Sequence, residues 1–314
     1  MGKGGSDSMT DLACIGLTTL DIIARPVSQL PPGGETALVE QIALAPAGTA
    51  GGMAVVAARL GLKASLISAI GKDRNGGILK GLFEEEGVDT AHLLERDDMP
   101  TSTTILLVRK DGERPNLHML GASVMSAFTP EAVETAKAAR FLHFGGVGFP
   151  NLTGPQVLEA VGGIRAAGTF VTGDLISPHP HLVEFLKSLL PHVDVFMPSL
   201  AEAKALLGLE DPVEAARAFA DMGAGACVVK CGEAGCVAVK EGEVIRIPAR
   251  KVSVVDTTSC GDSFCAGFVA GLAKGAEFQR ALEYGTVTAS FVAQGAGTLG
   301  ALQGMKQVEE VLGA

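Results

Sequence analysis

The chain has 314 residues, with 25 Lys and Arg against 35 Asp and Glu, so its formal net charge is −10. This acidic balance argues against a protein that tracks nucleic-acid phosphates, because it leaves no large basic surface. Hydrophobic residues make up 47% and charged residues 19% of the chain, which excludes a disordered chain and allows a large core. No apolar run reaches about 18 residues, so we expect neither a transmembrane helix nor a membrane partner.

The first residues and the cysteines bear on processing and compartment. Residues 1–10 are small and polar and lack the apolar segment of a signal peptide, so we expect a disordered leader before a folded domain at 11–314. The six cysteines have neither the spacing of a zinc site nor that of a disulfide framework. We therefore expect free thiols and a location in the reducing cytoplasm.

Apolar strand-like runs alternate with segments of helical period, which predicts an α/β fold with a Rossmann-like, mostly parallel central sheet covered by helices. The predicted strands, in chain order, are residues 12–17, 64–70, 141–144, 170–172, 193–197, 226–230, 236–240, 244–247 and 252–255, of which 226–247 form an antiparallel patch. The predicted helices are residues 51–60, 76–86, 131–139, 154–167, 182–190, 199–207, a helix opened by Asp211, a helix from about Gly261 to 274, and 278–294.

Two segments interrupt this alternation. Residues 37–44 follow a Pro- and Gly-rich stretch, and residues 103–109 and 114–120 flank Asp111-Gly112, a strong hairpin signal. We interpret them as a small β lid built from insertions at about 22–47 and 101–121. Because a free sheet edge tends to pair with another strand, we also expect a homodimer through the lid.

The sequence contains no phosphate-binding loop, dinucleotide-binding or hydrolase motif. One turn, however, has a pattern that indicates chemistry. Asp256-Thr257-Thr258-Ser259-Cys260-Gly261-Asp262 joins a predicted strand to a predicted helix, so its backbone N–H groups and the first helical amides converge on one anion site. Asp262 lies beside that site and is a candidate base for a hydroxyl that attacks a phosphoryl group. A structural turn with an acidic residue in the first helical turn explains the same pattern.

This segment resembles the signature D-T-T-G-A-G-D of the ribokinase-like (PfkB-type) carbohydrate kinases at five of seven positions. Other family-like stretches follow in the expected order: the glycine-rich turn and helix at 47–61, a G-x-D-x-x-G-like stretch at 71–76, the hairpin at 111–114, and Ser199-x-x-Glu202 in place of N-x-x-E. The resemblance spans about 11–312 and implies phosphotransfer from ATP to a sugar hydroxyl, with Mg²⁺.

Carried over position by position, the resemblance implies a role for each matching residue. Asp262 is the base, Ser259, Cys260 and Gly261 form the anion hole, and Asp21, Gly48 and Gly52 join Asp262 on the substrate side. Ser199, Lys230, Gly232, Gly235 and Gly261 lie on the nucleotide side, Glu202 holds Mg²⁺ through water, and Asp256 is a candidate ligand for a monovalent cation, K⁺.

Three positions depart from the family pattern. Gly52 replaces a substrate-binding Asn, Ser199 replaces an Asn and can instead form a capping box with Glu202, and Ser259-Cys260 replaces Gly-Ala. The Cys260 thiol, if it faces the anion hole, is expected to have a pKa below the usual value of about 8.5 and to react first with thiol reagents. If it points away, it is a small buried residue.

The sequence therefore predicts an ATP- and Mg²⁺-dependent sugar kinase acting on a ribose, fructose or keto-deoxy sugar acid type of acceptor. Two alternatives stay open. The first is a nucleoside kinase, disfavoured because the chain has no Trp and one Tyr for stacking on a base. The second is a sugar sensor without activity, disfavoured because a sensor needs no base at Asp262.

Overall fold

A computed structural model describes residues 10–111, 113–176 and 178–313. The predicted leader, apart from Thr10, and Gly112 of the predicted hairpin lie outside the described residues. Among the residues that are described, no helix combines the length and the hydropathy needed to span a membrane.

Strands and helices alternate along most of the chain. The strands are β1 (Leu12–Ile15), β2 (Thr19–Arg25), β3 (Gln41–Ala47), β4 (Ala64–Gly71), β5 (Leu93–Arg96), β6 (Thr103–Leu107), β7 (Asn116–Met119), β8 (Phe141–Val147), β9 (Phe170–Leu175), β10 (Val195–Phe196), β11 (Ala226–Lys230), β12 (Cys236–Lys240) and β13 (Glu243–Ile247). The helices are α1 (Thr49–Arg59), α2 (Arg74–Glu85), α3 (Pro130–Ala138), α4 (Pro155–Ala166), α5 (Leu182–Leu189), α6 (Leu200–Leu207), α7 (Pro212–Asp221), α8 (Cys260–Ala273), α9 (Phe278–Val292) and α10 (Met305–Leu312).

The central sheet has nine strands in the order β13-β12-β11-β10-β9-β8-β1-β4-β5. It is parallel from β11 to β5, and β12 and β13 add an antiparallel edge, as the sequence predicts. Along β1, Leu12 and Cys14 join one buried cluster, whereas Ala13 and Ile15 join a second cluster on the opposite side of the sheet. Both faces are thus covered by helices, which is why the central strands are apolar throughout rather than alternating.

A second, four-stranded sheet has the order β3-β2-β6-β7. The pair β2–β6 is parallel and the other two pairs are antiparallel. Strand β2 was not predicted, because its residues run on from the first central strand with only a short break at Gly16–Thr18.

One predicted strand is absent from the fold. Residues 252–255 form an irregular segment, held where the Val255 N–H donates to the Ala293 carbonyl (2.8 Å). Val254 is 47% exposed, so this apolar run has no sheet neighbour that would bury it.

Candidate active site

Helix α8 begins in the turn that the sequence analysis singled out. Asp256 fixes this turn: its Oδ1 accepts hydrogen bonds from the N–H (2.9 Å) and hydroxyl (2.7 Å) of Thr258, and its Oδ2 accepts one from the Gly297 N–H (2.9 Å). The Ser259 carbonyl accepts hydrogen bonds from the N–H and hydroxyl of Ser263. In the described part of the chain, the N–H groups of Gly261 and Asp262 have no acceptor. They can therefore bind an anion at the helix N-terminus.

Asp262 lies in the first turn of α8, partly accessible from outside. Desolvation raises the pKa of its carboxyl to about 8, and the charge of Asp174 adds to this rise. Lys230 and the Ser259 hydroxyl oppose it, while Glu202 raises the pKa further. A carboxyl with a pKa near neutrality can take and return a proton, which an ordinary surface Asp does poorly.

Helix α1 approaches this carboxyl through Gly52. A Cβ atom at Gly52 would lie 2.9 Å from Asp262 Oδ2 and 3.1 Å from Ser259 Oγ. Gly48, which precedes α1, has φ 94°, and a Cβ there would lie 2.6 Å from the Leu17 carbonyl oxygen. Both glycines let the backbone approach where a side chain would collide.

Asp21 projects from β2 and is only 4% exposed. Its Oδ1 has no hydrogen-bond partner among the described residues. Burial raises the pKa of this carboxyl to about 7, although Thr104 and Arg114 favour its charged form. A buried carboxylate oxygen without a donor is costly unless a ligand supplies one, so Asp21 is suited to accept a hydrogen bond from a bound hydroxyl.

Lys230, at the end of β11, forms an ion pair with Asp174, at the end of β9 (Nζ–Oδ2 2.5 Å). Burial disfavours the ammonium, but the neighbouring acidic groups, Asp174 foremost, together outweigh that effect and the pKa of Lys230 is raised. Its Nζ would lie 3.4 Å from a Cβ atom at Gly261, so the charge is next to the first turn of α8. Asp174 was not predicted from the sequence, although an acid at the carboxyl end of a parallel strand is a recognisable signal.

Ser199 and Glu202 form the capping box that the sequence allows. The Glu202 Oε2 accepts a hydrogen bond from the Ser199 N–H (2.6 Å), and the Ser199 hydroxyl accepts one from the Glu202 N–H (3.2 Å). Ser199 also forms an isolated bridge with Lys230. Burial and the charge of Asp174 raise the pKa of Glu202. The predicted nucleotide and metal residues therefore lie together, near Asp262.

Gly232 and Gly235 shape the loop between β11 and β12. Their φ angles are 57° and 94°, and a Cβ at Gly235 would collide with the Ile247 carbonyl. The loop is closed by the Cys231 N–H, which donates to the Gly235 carbonyl (2.7 Å). The backbone conformation alone accounts for both glycines, so their contact with a nucleotide remains a prediction.

Arg114, in the segment between β6 and β7, reaches the turn before α8. Its Nε donates a hydrogen bond to the Thr257 hydroxyl (3.0 Å), and its charge favours the ionised form of Asp21. The sequence analysis placed Arg114 in the hairpin but gave it no role in the site. Its position joins the small sheet directly to the turn that carries Asp262.

The expectation of a reactive Cys260 thiol is wrong. The Cys260 Sγ lies 3.9 Å from the Ala289 carbonyl of α9 and packs against the core. Burial raises the pKa of this thiol to about 12. Its N–H donates to the Thr257 carbonyl (3.3 Å), so it is less available to an anion than those of Gly261 and Asp262.

Comparison with known proteins agrees with this geometry. The chain matches the model of the pfkB family carbohydrate kinases over residues 9–303. It belongs to this family. The chain is 28% identical to the ribokinase of Haemophilus influenzae over 277 residues (86% of this chain, 87% of that protein) and 30% identical to the fructokinase of Klebsiella pneumoniae over 260 residues (80% and 83%). It is 26% identical to the nucleoside kinase of Methanothermobacter thermautotrophicus over 295 residues (92% and 91%).

Solved structures share the whole fold. An Escherichia coli protein assigned as a ribokinase II, solved with ATP and Mg²⁺, superposes with a TM-score of 0.82 at 21% identity (97% of this chain, 99% of that chain). The ribokinase of Arabidopsis thaliana, complexed with ribose and ATP, gives 0.79 at 23% identity (97% and 99%). The predictions of family and fold class are confirmed, and so is that of a carbohydrate kinase, a phosphotransferase with an alcohol group as acceptor.

Proposed function

We propose that this pfkB-family protein transfers the γ-phosphate of ATP to a hydroxyl of a small sugar, with Asp262 as the general base. The observation that carries the proposal is the Asp262 carboxyl, with its pKa near 8, in the helical turn where the N–H groups of Gly261 and Asp262 have no acceptor among the described residues. The relatives support it, because they include kinases of ribose and fructose and a neighbour that binds ATP and Mg²⁺.

The chemistry follows from the placement of these groups. Asp21 accepts a hydrogen bond from the acceptor through its unpaired oxygen, and Gly48 and Gly52 leave room for the sugar. Asp262 removes the proton of the attacking hydroxyl. The N–H groups of Gly261 and Asp262, in the turn of Ser259 and Cys260, stabilise the charge on the transferring phosphoryl group.

The nucleotide is assigned to the side of Lys230 and Ser199, with Gly232 and Gly235 in the adjoining loop. Mg²⁺ neutralises charge on the phosphates when it is bound. Glu202 fits such an ion through water, because its carboxylate lies beside the site. One of its oxygens is committed to Ser199, which leaves the other to accept a hydrogen bond from a water molecule on the ion. Lys230 adds a fixed positive charge next to Gly261.

A K⁺ ion beside Asp256 is a further proposal. Both oxygens of Asp256 already accept hydrogen bonds from Thr258 and Gly297. Turnover measured in KCl, NaCl and choline chloride at equal ionic strength tests it. Equal rates in the three salts would refute a K⁺ requirement.

We also assign the small sheet as a lid made from insertions at 22–47 and 101–121 of a single domain at 11–314. One face of this sheet carries Asp21 toward Asp256, and Arg114 contacts the turn before α8. A lid in this position excludes water, which limits transfer of the phosphoryl group to water instead of sugar.

A sugar is favoured over a nucleoside as the acceptor. Tyr284 is only 5% exposed and packs between α8 and α9, so the one tyrosine of the chain cannot stack on a base in the pocket. A sensor without activity is disfavoured, because Asp262 lies with the charges of Lys230, Asp174 and Glu202, and a sensor needs no such base.

An assay of ATP consumption tests the function directly. The acceptors are D-ribose, D-fructose, 2-deoxy-D-ribose, a 2-keto-3-deoxy sugar acid and adenosine, each with Mg²⁺. We expect one sugar to exceed adenosine by at least about tenfold in kcat/KM, and Asp262→Asn to lower kcat by about 10²–10⁴. Absence of phosphorylated sugar with every acceptor, or full activity of Asp262→Asn, would contradict the proposal.

We propose that two copies associate through the outer face of the lid. The positions that share this face, in register on the four lid strands, are Leu20, Ile22, Ala24, Ile42, Leu44, Pro46, Thr103, Ile105, Leu107, Leu117 and Met119, of which Leu20 and Pro46 are buried. None is charged, and five are large apolar residues at least 39% exposed: Ile42, Leu44, Ile105, Leu117 and Met119. In a chain of net charge −10, this face lets two copies meet without opposing like charges.

Light scattering on the purified protein tests this dimer. We expect twice the monomer mass at micromolar concentration and a monomer for Leu44→Glu/Leu117→Glu. Leu94→Glu changes an apolar residue of similar exposure (48%) on β5, away from the lid, and should remain a dimer. A monomeric parent protein would overturn the proposal.

A cytoplasmic location is the last part of the proposal. All six cysteines are unpaired, and four of them are buried. Free thiols suit a reducing compartment. Fractionation of cells that express the protein from its own gene tests this.

A further inference from the structure

Ser259 has an unusual backbone conformation for its residue type. Its φ and ψ are 54° and 14°, in the left-handed region that favours glycine. In the described part of the chain, Glu241 is the other residue besides glycine with positive φ, and it lies with Gly242 in the tight turn between β12 and β13. Such turns require positive φ, so the conformation of Glu241 is explained. Ser259 lies in no hairpin, and a left-handed serine costs about 1 kcal/mol.

The Ser259 hydroxyl does not serve the helix that follows it. A serine before a helix ordinarily accepts a hydrogen bond from an N–H of the first turn, but Ser259 makes no such contact with α8. Its carbonyl is held by Ser263 instead. The hydroxyl is therefore free for another partner.

The candidate partner is the neighbouring carboxyl of Asp262. The hydroxyl lies close enough to this carboxyl to favour its charged form. The position of Gly52 shows independently that the two groups are neighbours, because one Cβ atom placed there would lie 3.1 Å from Ser259 Oγ and 2.9 Å from Asp262 Oδ2. The two oxygens thus face the same small space beside α1, and a side chain at position 52 would push them away.

We propose that Ser259 is a positioning residue for the phosphoryl transfer: its hydroxyl donates a hydrogen bond to the Asp262 carboxylate, beside Gly52, and directs it toward the acceptor. The inference rests on the proposed role of Asp262 as the base. The same contact explains both the left-handed conformation of Ser259 and the presence of a glycine at position 52 of α1.

The charged groups around Asp262 set the pKa of its carboxyl, which the pH dependence of the rate measures. Asp174 on β9 and Glu202 on α6 disfavour the carboxylate, whereas Lys230 on β11 and the Ser259 hydroxyl favour it. Removing the hydroxyl leaves the other three groups in place. The proton affinity of Asp262 then rises, and less of it is in the basic form at neutral pH.

The test compares Ser259→Gly and Ser259→Ala with the parent protein in full pH profiles, using the best sugar of the acceptor panel. Both variants should move the acidic limb of kcat/KM to higher pH by about one unit, and kcat at pH 7 should fall about tenfold. The difference in kcat/KM between the variants and the parent protein should disappear above about pH 9, and the KM for ATP should stay within about twofold of the parent value. Ser259→Gly should melt no lower than the parent, because glycine fits φ 54° without strain.

Glu241→Gly is the matched control, because it removes the other left-handed side chain far from Asp262. It should leave the pH profile unchanged. A second pair of variants tests the shared space: Gly52→Ala should lower kcat, and the double variant Gly52→Ala/Ser259→Gly should lose less than the product of the two single losses, because both changes disturb the same hydroxyl–carboxylate contact. Independent effects would instead multiply.

The outcomes separate this inference from the proposed function. If Asp262→Asn is inactive while both Ser259 variants keep the parent pH profile, the hydroxyl does not position the base and only this inference fails. If only Ser259→Ala is slow, backbone strain is the cause and the inference also fails. If Asp262→Asn retains activity, the proposed function itself is wrong.

Discussion

Replacing Asp262 by Asn should stabilise the protein without bound ligand even as it removes activity. The folded protein holds this carboxyl at a pKa of about 8, against 3.8 for an ordinary Asp. A shift of about four units corresponds to ~6 kcal/mol as an upper bound, at ~1.4 kcal/mol per unit. Because Asp262 is partly accessible and its surroundings relax, we expect about 1–3 kcal/mol in favour of Asn at pH 8 and above.

The sign of the pH dependence follows from the direction of the shift. A carboxyl whose pKa is raised by folding costs nothing below its unfolded pKa, and its penalty grows as pH rises toward its folded pKa. The advantage of Asp262→Asn should therefore be near zero at about pH 4, increase up to about pH 8 and remain constant above that. At high pH the melting temperature should exceed that of the parent protein by about 2–6 °C.

Thermal and urea unfolding at pH 5, 7 and 9 measure this difference. Asp98→Asn is a suitable control, because Asp98 is an exposed carboxyl whose pKa is lowered by Arg96, so neutralising it should not stabilise the protein at any of these pH values. The reasoning is refuted if Asp262→Asn is less stable than the parent at pH 9, or if its advantage is the same at pH 5 and pH 9.

The sequence predicts the central fold well because the signal is repeated. The central parallel strands are apolar runs covered on both faces, and several helices announce their start with a capping residue, as Asp211 does for α7. The lid was harder. Strand β2 follows β1 after three residues and belongs to a different sheet, and local pattern cannot tell where one sheet ends and another begins.

The residues of the candidate site also fall into those that the sequence predicts and those that it does not. Asp262 and its turn were predictable, because one short segment carries both the base and the N–H groups. Asp174, Arg114 and Cys260 were not, for a shared reason. Asp174 meets Lys230 56 residues later, and Arg114 meets Thr257 143 residues later. The orientation of the Cys260 thiol depends on α9, which packs against the far side of α8.

Three further changes test these contacts. Lys230→Met should lower kcat by at least about 10²-fold, because it removes the charge beside the phosphoryl site and leaves Asp174 buried and unpaired, and Lys230→Met/Asp174→Asn should regain the lost thermal stability but not the activity. Iodoacetamide at pH 8 should modify Cys260 no faster than the half-buried Cys231, and faster labelling would show that the thiol is not desolvated. Arg114→Ala should raise the KM of the acceptor about three- to tenfold with the KM of ATP unchanged, because it releases the lid from the turn and removes the cation that keeps the substrate-side carboxylate charged. Equal changes in both KM values would place Arg114 outside the acceptor pocket, and an unchanged acceptor KM would mean that its contact with the turn contributes nothing to closure.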